Sequence, residues 1–582
     1  MNKLRYLCVL LIIITASSCT KNFDKLNTNP SQLAVPDMDP VLTQVFKMTA
    51  DRSENENLVF FWEYTHIIEP TGQRYSAGDD GLWGDFYTIG IGNLRQLRNL
   101  YGGNPAFANR VAIVNIWECY LYSYLVATYG PLPYTQAGTA APYVAYDDEN
   151  TIYISLLSRL KDAYNAINVN GDKLTTDLIF GGDMTKWKKF ANALRLRIAL
   201  RCQRNVPAES VAAIKDVMAN ESFLPTSDAD DPKLSYGIAD GSQSPYWTKY
   251  QKVIVTPSTD PVMSDYVFTY FRSYKDPRMQ AYFNQSLLGY SITDTLTSTA
   301  DAFHHIVTYK IPYLGAPKAP LALSTWGIPG NTFYNGSSLT DNFSTLPGVN
   351  GKAITSTAGV NLVAADRPFY FMTYADVCFM EAEASALGYG GALTPDKYYY
   401  NGINANFAFW GLSTAQATAY EAQPGIQWNT TGHGFNYALG YLNTSIPADN
   451  FTKIWVQQWI NSFDDGGFDA WCLFRRTQFI QLPVHTNPGT PNLTTVYGIL
   501  PDRFPYPSTE NASNPLGVTD GVKSLGNPDY PSTVLKFAKP YPATNWNTVH
   551  AFLDYSEFEK WYGTTIQSLT AAGIAYTETG KY

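Results

Sequence analysis

Two neighbouring stretches, FMTYADVCFMEAEASALG (371–388) and DKYYYNGINANFAFW (396–410), decide the fold class of this 582-residue chain. Each places apolar residues at helical spacing. Gly388 is predicted to end the first helix, and Thr394-Pro395 to begin the second. Two helices of this length joined by a short Gly/Pro turn pack against each other as a pair. The pattern predicts stacked helical pairs similar to tetratricopeptide repeats.

Further helices are predicted on both sides of this pair. Residues 110–129 are apolar almost all round, which is typical of a helix buried on most sides, and the Gly-Pro-Leu-Pro run at 130–133 ends it. Thr185 is a suitable N-cap for another helix. Apolar stripes predict the remaining helices at 149–168, 185–203 and 451–463.

Long stretches between these helices are rich in Pro, Gly, Asn, Ser and Thr, and we expect them to be irregular loops that contribute to function. They cover residues 225–260, 310–360 and 480–545. The sequence therefore predicts a mainly α protein of tetratricopeptide-like helical pairs with long irregular loops and little β structure.

The N-terminus has the pattern of an export signal. Lys3 and Arg5 precede a nine-residue apolar run, 6–14, and the small residues 15–18 lead directly to Cys19. A helix needs about 20 apolar residues to span a bilayer, so this run is too short. The small residues ending in cysteine resemble the bacterial lipobox, in which the thiol is acylated.

This resemblance divides the chain into three parts. We predict a lipoprotein signal peptide at 1–18, a polar tether at 19–36 that begins with the lipidated, palmitate-type Cys19, and one domain at 37–582. Ala16 stands where Leu is commonest in a lipobox, and the alternative is an ordinary signal peptide with an incidental cysteine. No Pro/Gly-rich linker divides the domain.

Charge and composition exclude some partners. Removing Lys3 and Arg5 with the leader leaves 39 basic and 50 acidic residues, a net charge of −11, which disfavours nucleic acid and anionic lipid surfaces. Aromatic residues are abundant, with 42 Tyr, 30 Phe and 13 Trp. Part of this surplus belongs to the core, and exposed rings would provide faces that stack on sugars.

The sequence contains no recognisable catalytic or metal-binding motif. A Gly-x-Ser-x-Gly elbow, a His-Glu-x-x-His pair and a phosphate loop are all missing, so we predict neither a catalytic residue nor a cofactor. The acid pair Asp464-Asp465 could serve a glycosidase in principle, but we interpret it as solvated loop acids. Adjacent His304 and His305 would point apart in regular structure and would make a poor metal-binding pair.

Four cysteines in helical patterns are predicted to be buried free thiols: Cys119, Cys202, Cys378 and Cys472.

Several phrases, in a fixed order, resemble the SusD/RagB outer-membrane lipoproteins, specifically their SusD-like branch. The most specific is Gly182-Asp183 leading into KWKKFANALRLR at 186–197. The others are FDKLNTNP (23–30), GPLPY (130–134) followed by YDDE (146–149), YAD (374–376) with EAEA (381–384), QWI (458–460) with DAW (469–471) and RRT (475–477), and PDRFPYP (501–507).

The resemblance implies a role as well as a fold. Members bind glycan fragments, and some handle peptides. The resemblance also implies a partner, a SusC-like TonB-dependent transporter that the lipoprotein covers like a lid. We therefore expect a lipid-anchored outer-membrane protein facing the cell exterior that binds an oligosaccharide, makes or breaks no bond and delivers its ligand to the transporter. The alternatives are a surface glycoside hydrolase, a peptide-binding member of the same family and a mainly structural subunit of the transporter.

Ligand contacts are expected in loops that contain aromatic and polar side chains. The early region contributes Arg74, Tyr75 and Trp83, just before a predicted helix with Asn93 and Arg95. The alternative for Trp83 is that it anchors that helix in the core. The central region contributes further candidates: Tyr246, Trp247, Trp326 and Tyr334. The charged residues of the family phrases, in contrast, are predicted to form a buried ion network: Asp376, Glu381, Glu383, Arg475 and Arg476.

Overall fold

A computed structural model describes most of the chain. The described residues are 36–248, 262–311, 364–430, 449–479, 501–540 and 565–582, apart from short gaps inside these ranges, together with residues 359, 362, 495 and 496. The predicted signal peptide and most of the tether, including Cys19, lie outside them.

Twelve helices of eight or more residues occur in this part of the chain. They are α1 (Met38–Glu56), α2 (Gly92–Tyr101), α3 (Ala108–Tyr129), α4 (Glu149–Ala166), α5 (Met184–Arg201), α6 (Pro207–Met218), α7 (Tyr374–Ala386), α8 (Pro395–Phe409), α9 (Thr414–Glu421), α10 (Asn450–Asn461), α11 (Gly467–Thr477) and α12 (Pro515–Leu525). Shorter α-helical pieces are Trp62–Tyr64, Asp80–Asp85, Pro245–Trp247, Arg278–Tyr282, Ser508–Ser513 and Ile566–Ala571, two π-helical stretches are Asn57–Phe61 and Phe86–Ile91, and three 3-10 turns are Pro105–Phe107, Glu221–Phe223 and Asp228–Asp230.

The helices predicted from periodicity are confirmed within a few residues at each end. The N-cap of α5 is Asp183 rather than Thr185, because the Asp183 carboxylate accepts hydrogen bonds from the backbone N–H groups of Thr185 and Lys186 at 2.9 and 3.2 Å. A capping box of Thr373 and Asp376 starts α7. Local hydrogen bonding therefore fixes the points where these helices begin.

Consecutive helices pack against each other, so the predicted helical pairs are confirmed. Helix α7 packs on α8, α3 on α4, α4 on α5 and α5 on α6, while α10 lies against α7. Such stacking buries the apolar stripe of each helix against its neighbour. The architecture is mainly α, as the sequence predicts.

Helix α3 lies at the centre of this packing. With the turn that precedes it, it forms a run from Pro105 to Tyr129 that is apolar and long enough to cross a membrane by length and composition alone. However, 89% of its most apolar window is buried inside the protein. That degree of burial is typical of a core helix.

The strands are short, and most join segments that are distant in sequence. Antiparallel pairs are β1 (Ile68–Glu69) with β4 (Val262–Met263), β2 (Tyr75–Ser76) with β8 (Thr495–Val496) and β3 (Lys233–Leu234) with β7 (Phe369–Tyr370). One larger antiparallel sheet has the order β5 (Tyr290–Thr297), β6 (His304–Ile311) and β9 (Tyr576–Lys581). On β6, His304 is exposed and His305 is buried, so the two imidazoles point apart as predicted.

The expectation of loops at 480–545 is partly wrong. Helix Ser508–Ser513 and α12 lie inside this segment. Pro515 occupies the first turn of α12, where its missing N–H costs no hydrogen bond, and Gly526 ends the helix with a positive φ of 69°. Pro and Gly thus set the ends of the helices in this segment, and its high content of these residues does not prevent helix formation.

Most of the described aromatic surplus belongs to the core. Trp62, Trp117, Trp187 and Trp471 are all buried with less than 2% of their side chains exposed. Phe61, for example, stacks on both Trp471 and Phe504 at centroid distances of 5.1 and 5.9 Å. The prediction of buried free thiols is also confirmed, for Cys119, Cys202, Cys378 and Cys472.

Candidate functional site

Short strand pairs bring together three regions that the sequence separates widely. Strand β1 of the early region pairs with β4 of the central region, and β2 pairs with β8 of the late region. Tyr75 is opposite Val496 in the second pair. The backbone around the predicted early site is therefore fixed by residues roughly 200 and 400 positions further along the chain.

Trp83 is a core residue. Only 5% of it is exposed, and its ring contacts Tyr87 and Tyr129 at centroid distances of 4.8 and 4.9 Å, with Tyr146 and Tyr506 slightly further away. A ring enclosed by four others offers no face to a sugar. The structure thus agrees with the alternative that Trp83 anchors the start of its helix and corrects its assignment as a ligand-binding residue.

Tyr246 is also part of the core, whereas its neighbour is not. Tyr246 is fully buried and stacks on Trp62 at 5.1 Å, while its backbone N–H donates to the Glu54 carboxylate at 3.0 Å. Its assignment as a ligand contact is therefore wrong. Trp247 is half-buried, which leaves part of its ring accessible.

The remaining predicted contacts are not tested by the described geometry. Arg74, Trp326 and Tyr334 lie outside the described residues, and of Tyr75 only the backbone is described. They stay predictions.

A cavity beside α2 has a volume of about 510 Å³. Its walls are formed by the outer face of α2, Tyr87 from the π-helical stretch before it and the turn 137–139. Arg95, Gln96, Arg98 and Asn99 project from α2 into this lining. We call it the α2 cavity. Pockets of roughly 300–1,000 Å³ are the size that small ligands occupy.

Two of the arginines that line the α2 cavity, Arg95 and Arg98, belong to a buried ion cluster. Glu118 of α3 is fully buried and is contacted by the guanidinium groups of Arg95, Arg98 and Arg159, with Arg95 Nε to Oε1 at 3.1 Å and Arg159 Nη2 to Oε2 at 2.5 Å. Burial alone would raise the pKa of Glu118, but Arg159 and Arg98 outweigh it and hold the pKa below its ordinary value. Three cations on one carboxylate leave the cluster with a local positive charge.

The polar side chains that line this cavity differ in how many hydrogen bonds they already make within the protein. Arg95 donates to the backbone carbonyls of Tyr134 and Ala137 as well as to Glu118, so it holds the turn in place. Gln96 and Asn99 are exposed, and Arg98 is 30% exposed. Planar amide and guanidinium groups of this kind match the hydroxyl pattern of a sugar, and the ring of Tyr87 adds an aromatic surface.

Of the residues of α2, the sequence singles out only Asn93 and Arg95. Asn93 donates to the backbone carbonyl of Ile89 at 2.8 Å, so its side-chain amide is already used within the protein. The useful signal was the spacing of Arg95, Gln96, Arg98 and Asn99, which occupy one broad polar face of the helix. The turn at 137–139 that closes the cavity could not be assigned to it from the sequence.

The predicted ion network is confirmed in part, between α5, α7 and α11. Arg476 and Glu383 form a bidentate pair with both distances at 2.6 Å, and Arg197 contacts Asp376 at 3.3 Å. Arg475 differs from the prediction: its guanidinium lies 3.3 Å from the centroid of the Trp471 ring. It donates to backbone carbonyls rather than to a carboxylate.

Two further acids behave differently from their predicted roles. Glu381 is buried, and burial raises its pKa to about 8, with Glu221 adding to the effect. Asp465 is not a solvated loop acid, because it is buried and pairs with Arg367 at 3.0 Å. Among the described residues, no group of three or more His, Cys, Asp and Glu side chains could hold a metal ion.

Several solved structures have a fold similar to that of this chain. A chitin-binding SusD homolog from Flavobacterium johnsoniae matches with a TM-score of 0.64 at 21% identity, covering 87% of this chain and 99% of that one. A SusD homolog from Bacteroides fragilis matches at 0.63 and 18% identity, covering 87% and 100%. A SusD-like protein from Bacteroides thetaiotaomicron matches at 0.64 and 19%, covering 86% and 99%. No curated protein sequence matches the chain significantly.

The sequence itself matches one family model, described as starch-binding and associating with the outer membrane, over residues 27–312 and 336–507. These ranges cover well over half of the chain. The description is of binding proteins rather than enzymes, which agrees with the predicted non-enzymatic role. The chain belongs to the SusD-like family.

Proposed function

We propose that this protein binds oligosaccharides at the outer cell surface and delivers them to a SusC-like TonB-dependent transporter. The family description supports the ligand class and the outer-membrane location. The observation that carries the proposal is the α2 cavity, where a chamber of about 510 Å³ combines exposed amide and guanidinium donors with a tyrosine ring.

Capture requires no chemical step in this proposal. A sugar ring presents a C–H face to the Tyr87 ring, while its hydroxyl groups accept from Arg98 and exchange hydrogen bonds with the side-chain amides of Gln96 and Asn99. The turn at 137–139 limits the ligand on the far side, and Arg95 holds that turn through backbone carbonyls. Release needs only the loss of these weak contacts.

Affinity electrophoresis of the full chain in gels containing diverse polysaccharides tests this proposal. We expect retardation by at least one polysaccharide without release of products, and loss of retardation in a Gln96→Ala/Asn99→Ala variant. Asn170→Ala, an exposed amide far along the chain from the cavity, is the matched control. Binding of peptides alone would favour the peptide-binding alternative, and absence of any ligand would favour a structural subunit.

Further ligand contacts are proposed from the loops. Trp247 has an accessible ring, and Arg74, Tyr75, Trp326 and Tyr334 remain candidates on sequence grounds. We expect Trp247→Ala and Trp326→Ala each to weaken retardation while leaving the unfolding midpoint nearly unchanged. Unchanged retardation in both variants would remove these loops from the site.

We also propose that the lipid on Cys19 anchors the protein in the outer membrane with its body facing the exterior. The family description, with its outer-membrane association, supports the location. Cys19→Ser should abolish labelling with a palmitate analogue and move the protein from the membrane to the soluble fraction. Digestion by protease added to intact cells tests the outward orientation.

Delivery to the transporter is the remaining part of the proposal. In it, the helical body covers the barrel like a lid while the tether keeps the two proteins together. Purification of the tagged protein from membranes should recover a TonB-dependent transporter at a constant ratio. If the tagged protein is recovered alone under mild detergent conditions, this part of the proposal fails while glycan capture stands.

A further inference from the structure

A second cavity, of about 310 Å³, lies between α5, α7, α10 and α11 and the segment 537–539. We call it the basic cavity and define it by Arg204, Phe451, Trp455, Arg476 and Lys539, all of which line it. None of its lining residues is shared with the α2 cavity. It is therefore a separate site.

The charges in the basic cavity do not balance. Among the described residues that line it, Glu383 is the only acid, and both oxygens of that carboxylate accept from Arg476 at 2.6 Å. Arg204 and Lys539 have no carboxylate within ion-pair distance in the part of the chain that the structure describes. Both side chains are exposed, so two solvated cations line the cavity without an anionic partner among the described residues, in a protein whose formal net charge is −9.

The positive charges of Arg204, Arg476 and Lys539 also repel one another. Burial lowers the pKa of Lys539, and the nearby Arg476 and Arg204 lower it further. The hydrogen bond of the Lys539 ammonium is a long one, 3.4 Å to the backbone carbonyl of Thr477. Like charges this close repel each other, more weakly in water than in a dry interior, and a bound anion would relieve that repulsion.

One wall of the basic cavity is aromatic. Phe451 and Trp455 are half-buried neighbours on α10, with ring centroids 5.7 Å apart and planes inclined by 33°. Leu200 and Phe537, both buried, also line the cavity.

We propose that the basic cavity is a second ligand site that takes one acidic sugar unit, with its anionic group on Arg204 and Lys539 and its C–H face against Phe451 and Trp455. Both a carboxylate and a sulfate supply the acceptor oxygens that these donors lack. The volume is at the lower end of the range for small-ligand pockets, which suits a single sugar unit. This inference rests on the proposed glycan-binding function and adds a charge requirement to it.

Calorimetric titration of the full chain in detergent with glucuronate, glucose 6-sulfate and glucose tests the proposal. We expect at least one acidic sugar to bind at least about tenfold more tightly than glucose, and raising the salt concentration to weaken that binding. The two acidic ligands distinguish a carboxylate from a sulfate as the preferred group. An Arg204→Gln/Lys539→Gln variant should lose about tenfold in affinity for the acidic sugar. Lys173→Gln, which removes an exposed charge elsewhere, should not change it.

The two sites can be separated by variants. Gln96→Ala/Asn99→Ala should abolish binding at the α2 cavity and leave binding of the acidic sugar intact. The proposal is overturned if neither acidic sugar binds more tightly than glucose, or if the Arg204→Gln/Lys539→Gln variant binds like the unmodified protein. Binding of an oligoglutamate peptide, but of neither acidic sugar, would also overturn it and assign the cavity to a protein partner.

Discussion

Gly402 of α8 lies directly against the ring of Phe379 of α7. A Cβ atom at residue 402 would be 2.5 Å from Cε1 and 2.7 Å from Cδ1 of that ring. Phe379 is fully buried, so its rigid ring cannot move away without disturbing the core. The helical pair that decides the fold is therefore packed at a distance that only glycine allows.

Gly402→Ala should destabilise the protein by about 1–3 kcal/mol, because overpacking outweighs the higher helix propensity of alanine. Chemical unfolding monitored by circular dichroism measures the change. Gly84→Ala is the control, since nothing lies within 4 Å of a Cβ at that helical position and its stability should stay equal or rise slightly. Equal behaviour of the two variants would contradict the close approach. Adding Phe379→Leu to Gly402→Ala should recover part of the loss.

The Arg476–Glu383 pair should behave as a partly buried ion pair. The two side chains are only 13% and 3% exposed, so Arg476→Leu leaves the Glu383 carboxylate buried without its partner. We expect the free energy of unfolding to fall by about 3 kcal/mol. The double variant Arg476→Leu/Glu383→Leu should lose less than Arg476→Leu alone, which urea unfolding of both proteins would determine. A larger loss in the double variant would show that the pair contributes more than it costs to bury.

Stability should fall as the pH rises from about 5 to 8. Burial raises the pKa of Glu381 to about 8, of Glu149 and Asp502 to about 7 and of Asp465 to about 6. The folded protein then holds protons that the unfolded chain would release above its ordinary carboxyl pKa of about 4. Folding therefore becomes less favourable as the pH increases through this window.

Melting temperatures at pH 5 and 8 measure this dependence. Glu381→Gln replaces the carboxyl with a neutral amide, so the variant should lose less stability between these two pH values than the unmodified protein. Glu209→Gln, at an exposed position, should leave the slope unchanged. Carboxyls with lowered pKa values, such as Glu118, act below this window and do not affect the comparison. A melting temperature that rises from pH 5 to pH 8 would be the opposite of this expectation.

Trp83 should matter for folding rather than for ligand capture. Trp83→Ala removes a buried ring from contacts with Tyr87 and Tyr129 and should cost about 3–5 kcal/mol of stability. Trp83→Phe keeps much of this packing, so it should remain folded and bind polysaccharide as the unmodified protein does. Reduced polysaccharide binding by a stable Trp83→Phe variant would contradict this prediction and would show that Trp83 contributes to ligand binding.

The sequence was sufficient where the determining interactions are local. Helical periodicity located α3, α4, α5, α7, α8 and α10, because an amphipathic or fully apolar pattern is a property of consecutive residues. Glycine and proline located their ends for the same reason. The buried cysteines followed from their apolar neighbours, and the ordered phrases between residues 23 and 507 identified the family.

Burial of individual polar and aromatic residues was not predictable in this way. Asp465 follows a helix and has the pattern of a loop acid, yet Arg367 pairs with it from almost 100 residues away. Tyr246 has the local pattern of a loop aromatic, but Trp62 covers its ring. In both cases the covering residue belongs to another part of the chain.

The amino-acid sequence alone thus determined six of the long helices, the pairing of α7 with α8, the absence of recognisable catalytic motifs and the family. Only the tertiary structure decided which rings are accessible and where the cavities lie. Solvent exposure depends on contacts between segments far apart in sequence, as in the Tyr75–Val496 and Ile68–Met263 pairings. The basic cavity illustrates the same point: Arg204, Trp455 and Lys539 form one site only because helices and a late segment converge on it.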